Sequence, residues 1–167
     1  MRVRPAIALL VATLCLLPAA ARAESSAAVP ALTFTGGRAD FADDGAIPHG
    51  VFGGGLQWVA TRHITVGPEV LYMVGPGEDR DLFVLGVARI GILPLHRRVA
   101  PFVTGGAGMM THSNRFGGRP FSSVEGAFIV GGGVRINATP NVYIAPEFTM
   151  GWEPHLRYSV TVGVRIP

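Results

Sequence analysis

The residues of this chain best suited to covalent chemistry are His112 and Ser113, with Glu125 further along. A serine hydroxyl becomes a nucleophile when a histidine takes its proton and an acidic group orients the imidazole ring. Here the histidine and the serine are adjacent, and neighbours on an extended strand point to opposite faces, which would break the hydrogen bond between them. We therefore place both residues in a solvated polar loop, residues 111–121, and predict no catalytic site.

A second set of residues could form ion pairs inside the molecule. These charged residues lie in segments with an apolar residue at every second position: Glu69, Arg89, Arg135, Glu147 and Arg165. They are out of phase with their apolar neighbours, so they should all point to the enclosed face of a sheet. Charges buried there must pair, because removing one partner of a buried pair costs about 3–5 kcal/mol. We predict an internal ion network in which Arg135 pairs with Glu147 and Arg165 lies close by; a narrow gated pore is the alternative.

The remaining histidines give no sign of a metal site. They are distributed over turns and loops without the spacing of metal ligands: His49, His63, His96 and His155. The glycine-rich runs do not follow a strand-to-helix turn, as a phosphate-binding loop would. The sequence thus predicts neither a metal nor a cofactor.

The stretch from Val124 to Trp152 indicates which elements would position these side chains. Its even positions are mostly apolar, and its odd positions are mostly small or polar, on both sides of a turn at residues 137–141. A side-chain period of two is that of a β-strand, so the stretch is predicted to be a hairpin. Each strand has about ten residues or more, the length that crosses a bilayer at a tilt.

The same alternation predicts eight strands. Their predicted bounds are 31–39, 50–60, 64–74, 82–92, 99–110, 124–136, 142–152 and 156–166. Short turns are expected at 61–63, 94–98 and 137–141, and loops at 40–49, 75–81, 111–121 and 153–155. Closing an even number of antiparallel strands leaves no unpaired edge. The predicted fold is all-β, an eight-stranded antiparallel up-and-down transmembrane β-barrel formed by residues 31–167.

The N-terminal segment has the features of a secretory signal peptide, with a basic start, a short apolar run and the cleavage pattern Ala21-Arg22-Ala23. We predict cleavage of residues 1–23 and a flexible leader at residues 24–30. The formal net charge of +3 comes from Arg2, Arg4 and Arg22 in this peptide, so the mature chain is neutral. The composition therefore does not favour a nucleic acid as partner.

Together, the signal peptide, the repeated hairpins and the final Tyr-x-Val-x-Val-x-Val-x-Ile strand, residues 158–166, resemble the family of small eight-stranded outer-membrane β-barrel proteins. This resemblance implies an outer-membrane location and outer-membrane lipid and lipopolysaccharide as surroundings. It also implies insertion by the barrel assembly machinery, and we expect a monomer. A structural or surface-interaction role without catalysis is expected, with a lumen filled by side chains.

Two alternatives remain. Some lipid A deacylases are small outer-membrane barrels with a His-x-Ser-Asn motif and a downstream glutamate, which His112, Ser113, Asn114 and Glu125 resemble imperfectly. A lipid A-modifying hydrolase is therefore one alternative. The other is a soluble periplasmic barrel that binds an apolar ligand inside. The charged residues opposite the apolar face argue against this second alternative.

Overall fold

The computed structural model describes residues 30–43, 45–116 and 118–166. The predicted signal peptide and most of the predicted leader lie outside these residues. The strands are β1 (Ala31–Asp43), β2 (Gly45–Val59), β3 (Ile64–Val74), β4 (Arg80–Gly91), β5 (Val99–Phe116), β6 (Arg119–Asn137), β7 (Val142–Gly151) and β8 (His155–Arg165).

The eight strands form a closed antiparallel barrel in which each strand pairs with the next and β8 pairs with β1. The ring closes along the whole of β8, from Ala31 opposite Arg165 to Phe41 opposite His155. Closure gives every strand two hydrogen-bonded neighbours, so the backbone groups of the sheet are satisfied without water. The predicted fold class is confirmed.

The two ends of the barrel differ. We call the end that carries Ala31 and Arg165 the inner end; its connections are the turns after β2, β4 and β6. At the opposite, outer end, β5 and β6 run to 18 and 19 residues and form a long hairpin.

Among the described residues, no helix is long and apolar enough to cross a bilayer.

Two of the predicted loops are strands. Residues 111–116 continue β5 and residues 119–121 begin β6, where a loop at 111–121 was expected. Most of the expected loop at 40–49 is likewise divided between the ends of β1 and β2. These predictions were wrong because both faces of a hairpin that projects into water can be polar, and the apolar alternation that marks a strand then disappears.

The side chains alternate between a lipid-like exterior and a filled interior. Along β7, Tyr143, Ala145, Glu147 and Thr149 are buried, whereas the residues between them are exposed. Exposed apolar side chains of this kind occur on every strand, among them Phe34, Phe52, Val70, Val84, Val103, Val130, Ile144 and Val160. The exterior is therefore a continuous apolar band, and within this band polar residues such as Glu147 and Thr149 point inward.

Side chains fill the lumen in successive layers. Towards the outer end lies a buried apolar layer, here called the outer plug: Ala39, Phe41, Val51, Leu71, Met73, Phe83, Leu85, Val87, Met110, Ala127 and Ile129. A second apolar layer closes the inner end: Ala31, Leu95, Ala100, Phe102, Tyr143 and Ala145. Charged residues lie between the two layers, and a further charged group caps the outer plug.

Candidate functional site

The charged layer in the middle of the lumen, here called the central cluster, consists of Glu69, Arg89, Glu147 and Arg157. The guanidinium of Arg89 joins the two glutamates, because its Nη2 donates to Glu69 Oε2 at 2.8 Å and its Nε donates to Glu147 Oε2 at 3.0 Å. Arg157 approaches the opposite oxygens, 3.5 Å from Glu69 Oε1 and 3.8 Å from Glu147 Oε1. Two positive and two negative charges thus form a closed set that is almost completely buried.

Neighbouring strands position this cluster. Glu69 lies on β3 and Arg89 on β4, whereas Glu147 and Arg157 lie on the adjacent strands β7 and β8. The Arg89–Glu147 contact therefore crosses the lumen between opposite walls. Contacts across the barrel tie the opposite walls together in this layer.

Two of the five residues predicted for the internal ion network, Arg135 and Arg165, lie outside the central cluster. Among the described residues, neither Arg135 nor Arg165 forms an ion pair with Glu147. The Arg135 guanidinium carbon lies 3.6 Å from the centre of the Tyr143 ring, and its Nε donates to Asn137 Oδ1. Arg165, at the rim of the inner end, donates to the carbonyl oxygen of Pro140. The predicted Arg135–Glu147 pair was wrong because the register places Glu147 opposite Gly133, which leaves Arg135 closer to the inner end.

Arg157 was not predicted to belong to the network, although its position in β8 indicated that it points inward. It is 1 % exposed, and it takes the place beside Glu147 that Arg165 was expected to fill. The sequence indicated its inward direction, because Arg157 lies between the outward apolar residues Leu156 and Tyr158. Arg157 and Arg165 lie on the same strand at different depths along the barrel axis. The alternation of residues in one strand gives the direction of a side chain but does not show which arginine lies at the depth of Glu147.

Tyr143 closes the central cluster on its inner side. Its hydroxyl donates to Gln57 Oε1 at 2.7 Å across the lumen. Its ring lies against the backbone of Gly163, where an added Cβ would be 2.1 Å from the ring carbons. Gly163 is therefore required by this close approach of the ring. The Tyr143 hydroxyl adds a polar contact between two walls of the barrel.

A second charged group, here called the outer-end cluster, consists of His49, Asp79, Asp81 and His112. His49 Nε2 lies 3.1 Å from Asp79 Oδ2 and 3.4 Å from Asp81 Oδ2. His112 Nδ1 lies 2.7 Å from Asp81 Oδ1 and 3.6 Å from Asp79 Oδ1. The two carboxylates thus lie between two imidazole rings, each of which faces one oxygen from each carboxylate.

Three strands and one turn bring this group together. His49 is on β2, Asp81 on β4 and His112 on β5, where Asp81 and His112 are direct cross-strand partners. Asp79 lies in the turn before β4. The spacing of the histidines in the sequence did not indicate this group, because residues far apart in sequence meet once the hairpins are in register.

His112 lies at the outer limit of the apolar band, since the neighbouring outward residues Arg80 and Ser113 are polar. Burial alone would lower the pKa of its ring. The hydrogen bond to Asp81 and the charges of Asp81 and Asp79 outweigh this effect, so the pKa of His112 lies above its ordinary value.

The three candidate catalytic residues have other partners. His112 contacts Asp81, Ser113 donates its hydroxyl hydrogen bond to the carbonyl oxygen of Arg80, and Glu125 accepts from Trp152 Nε1 at 3.5 Å. His112 and Ser113 are consecutive residues of β5 and face opposite sides of the strand. The arrangement needed for a serine nucleophile is therefore not assembled from these residues.

A closed barrel with an apolar exterior and an interior filled by ion pairs and apolar side chains defines a class of protein, the small membrane β-barrel. Similar solved structures narrow this class. Neisserial surface protein A (NspA) superposes on this chain with a TM-score of 0.74 at 12 % identity. The superposition covers 85 % of this chain and all of NspA. The chain has the fold of the small eight-stranded outer-membrane β-barrel proteins.

Two further structures agree. The N-terminal β-barrel domain of Pseudomonas aeruginosa OprF has a TM-score of 0.63 at 9 % identity, covering 81 % of this chain and 97 % of that domain. Ail, the attachment invasion locus protein of Yersinia pestis, has a TM-score of 0.54 at 14 % identity, with coverage of 82 % and 96 %. No family model and no curated protein matches the sequence. The likeness is therefore one of fold.

Proposed function

We propose that this protein is an integral outer-membrane β-barrel with a structural or surface-interaction role, and that its lumen is a plug rather than a pathway. The observation that carries the proposal is the contrast between the two sides of the sheet. The exterior presents an apolar band on all eight strands, and the interior holds a charge-balanced cluster between two apolar layers. Such a surface is stable only when lipid covers it.

The surroundings follow from the same contrast. Outer-membrane lipid would cover the band, with lipopolysaccharide in the leaflet near the outer end, and the barrel assembly machinery would insert the chain as a monomer. The β5–β6 hairpin, which carries the exposed Phe121 beyond the band, offers a surface for contacts outside the membrane. Two of the similar structures are a surface protein and an attachment protein, which supports such a role.

Membrane fractionation of expressing cells, with electrophoresis of unheated and boiled samples, tests the proposal. We expect recovery in the outer membrane and a lower apparent mass before boiling, because a closed barrel resists detergent until heated. Recovery as a soluble periplasmic protein would overturn the proposal.

A pair of variants on one face of β6 makes the test sharper. Val130 lies in the middle of the outward apolar set of this strand, and Val130→Arg should lower the free energy of unfolding by about 2–4 kcal/mol. Ser122 lies on the same face beyond the band, and Ser122→Arg should have little effect. Urea unfolding in phospholipid vesicles measures both, and equal effects would argue against a membrane-embedded band.

A further inference from the structure

Among the described residues, the two carboxylates of the outer-end cluster pair with imidazole rings and with no arginine. Asp79 and Asp81 bring two carboxylates within reach of the same imidazole nitrogen of His49. Arg80, which lies between the two aspartates in sequence, directs its Nη1 to the carbonyl oxygens of Gly75 and Asp79. In addition, Asp79 Oδ1 is buried and accepts no hydrogen bond from the described residues.

The ring of His49 is oriented in the way that metal-binding histidines are. Its Nδ1 lies 3.2 Å from the carbonyl oxygen of Ile47, and only an N–H donor suits that contact. In a neutral ring with the proton on Nδ1, Nε2 carries a lone pair. This lone pair then faces two carboxylate oxygens, which is a repulsive arrangement unless a positive charge lies between them. A backbone carbonyl that fixes the second ring nitrogen is the usual outer partner of a histidine ligand.

The distances between the possible ligand atoms match a small cation. Ligands about 2.0–2.1 Å from a tetrahedral zinc ion are roughly 3.3–3.4 Å from one another. His49 Nε2 lies 3.1 Å from Asp79 Oδ2 and 3.4 Å from Asp81 Oδ2. All three ligand atoms lie within 4.8 Å of one another, close enough to share one ion.

We propose that His49, Asp79 and Asp81 form a binding site for a divalent transition metal of the zinc class at the outer end of the lumen. An imidazole with carboxylates suits zinc better than calcium or magnesium, which prefer oxygen ligands alone. His112 donates to Asp81 Oδ1 and acts as a positioning residue that holds this carboxylate. Asp79 is the most exposed of the three ligands, so a metal ion would reach the site from its side.

The surroundings of the site fit this assignment. The outer plug lies beneath it, and Phe41 packs against the His49 ring with 4.5 Å between ring centres. Gly75 lies against the other side of the ring, where an added Cβ would be 2.3 Å from His49 Nε2. The ring is therefore held between an aromatic side chain and a glycine backbone, so the direction of its Nε2 is fixed before a metal binds.

Calorimetric titration of the purified full-length barrel with Zn²⁺ in detergent micelles tests the site, after removal of metal by a chelator. We expect one Zn²⁺ per chain and a rise in the unfolding temperature with Zn²⁺ concentration, because a ligand that binds only the folded state stabilises it. Co²⁺ should give the intense visible absorption of a tetrahedral site. Absence of stoichiometric Zn²⁺ binding by the wild type would overturn the proposal.

Variants identify the ligands. His49→Gln and Asp79→Asn should abolish the stoichiometric binding, and His112→Gln should weaken it by about 10–100-fold, as expected for an outer partner. The matched control is His96→Gln, since His96 is exposed in a turn at the inner end. Equal weakening by His96→Gln and His49→Gln would overturn the assignment.

Folding of each variant is checked by the mobility shift on boiling. Should His49→Gln or Asp79→Asn fail to show it, Gly75→Ala supplies the test, because its methyl group displaces the His49 ring while all ligands remain. We expect Gly75→Ala to weaken Zn²⁺ binding at least tenfold. Wild-type affinity in a folded Gly75→Ala variant would also overturn the site.

Discussion

The central cluster and the outer-end cluster contain the same number of charged or titratable side chains but differ in how their charges balance. In the centre, two arginines face two glutamates, and Arg89 donates to both carboxylates. At the outer end, two aspartates face two histidines, whose charge depends on protonation. The central cluster is closed to solvent, whereas His112 and Asp79 remain partly exposed.

This difference separates a structural cluster from one that can bind a ligand. A buried cluster with permanent charges of equal number has nothing to gain from another ion, and its contacts join opposite walls of the barrel. A cluster of aspartates and histidines near the opening can exchange protons for a cation. Variants that disturb one cluster should therefore change stability, and variants of the other should change what is bound.

The largest effect on stability is expected from Glu147→Leu. Removing this carboxylate leaves Arg89 and Arg157 to share Glu69. One buried positive charge is then no longer balanced, which should lower the free energy of unfolding by about 3–5 kcal/mol. Urea unfolding in phospholipid vesicles measures it. The control is Glu78→Leu, which removes an exposed partner of Arg115 and should cost at most about 1 kcal/mol. Equal stability of the Glu147→Leu variant and the wild type would show that the central cluster is hydrated and does not hold the walls together.

A smaller effect is expected from Arg135→Leu. This arginine stacks on Tyr143 and pairs with no carboxylate among the described residues, so its removal strands no opposite charge. The lost cation–π contact should cost about 0.5–2 kcal/mol. Tyr143→Phe serves as a comparison, because it keeps the ring beneath Arg135 and removes only the hydrogen bond to Gln57. A loss for Arg135→Leu as large as that for Glu147→Leu would restore the originally predicted network.

The smallest effect is expected from Ser113→Ala. Its hydroxyl bonds only a backbone carbonyl near the outer end, so the free energy of unfolding should change by no more than about 0.5 kcal/mol. Mass spectrometry of lipid A from cells that overexpress the wild type or this variant should give identical spectra. Loss of an ester-linked acyl chain with the wild type alone would establish a hydrolase and contradict our proposal.

The sequence predicted the barrel well where one face of a strand meets lipid. For β3 and β7 the predicted starts coincide with the observed starts, because the outward residues are apolar at every second position along each strand. The strand ends beyond the band were not predicted. At residues 111–121 neither face is consistently apolar, so the period of two carries no hydrophobic signal although the backbone pairing continues.

The site was predicted less completely than the fold. The inward direction of Glu69, Arg89 and Glu147 follows from the phase of each strand alone. The ion-pair partners of these residues cannot be predicted from phase alone. They also depend on the register of both strands and on the depth in the barrel at which each long side chain ends. His49 and Asp81 lie on β2 and β4, which are separated by β3. Their contact therefore depends on two strand registers, that of β2 with β3 and that of β3 with β4.

The pairing of β1 with β8 has a consequence for the order in which the protein folds. Seven of the strand pairs join neighbours in sequence and can form as local hairpins, whereas Ala31 meets Arg165 across nearly the whole described chain. The entropy cost of loop closure rises with the length of the chain enclosed, and non-local pairing slows folding. Bringing β1 and β8 together should therefore be the late, rate-limiting event of folding. Changes to that seam should slow refolding more than equally destabilising changes within a hairpin.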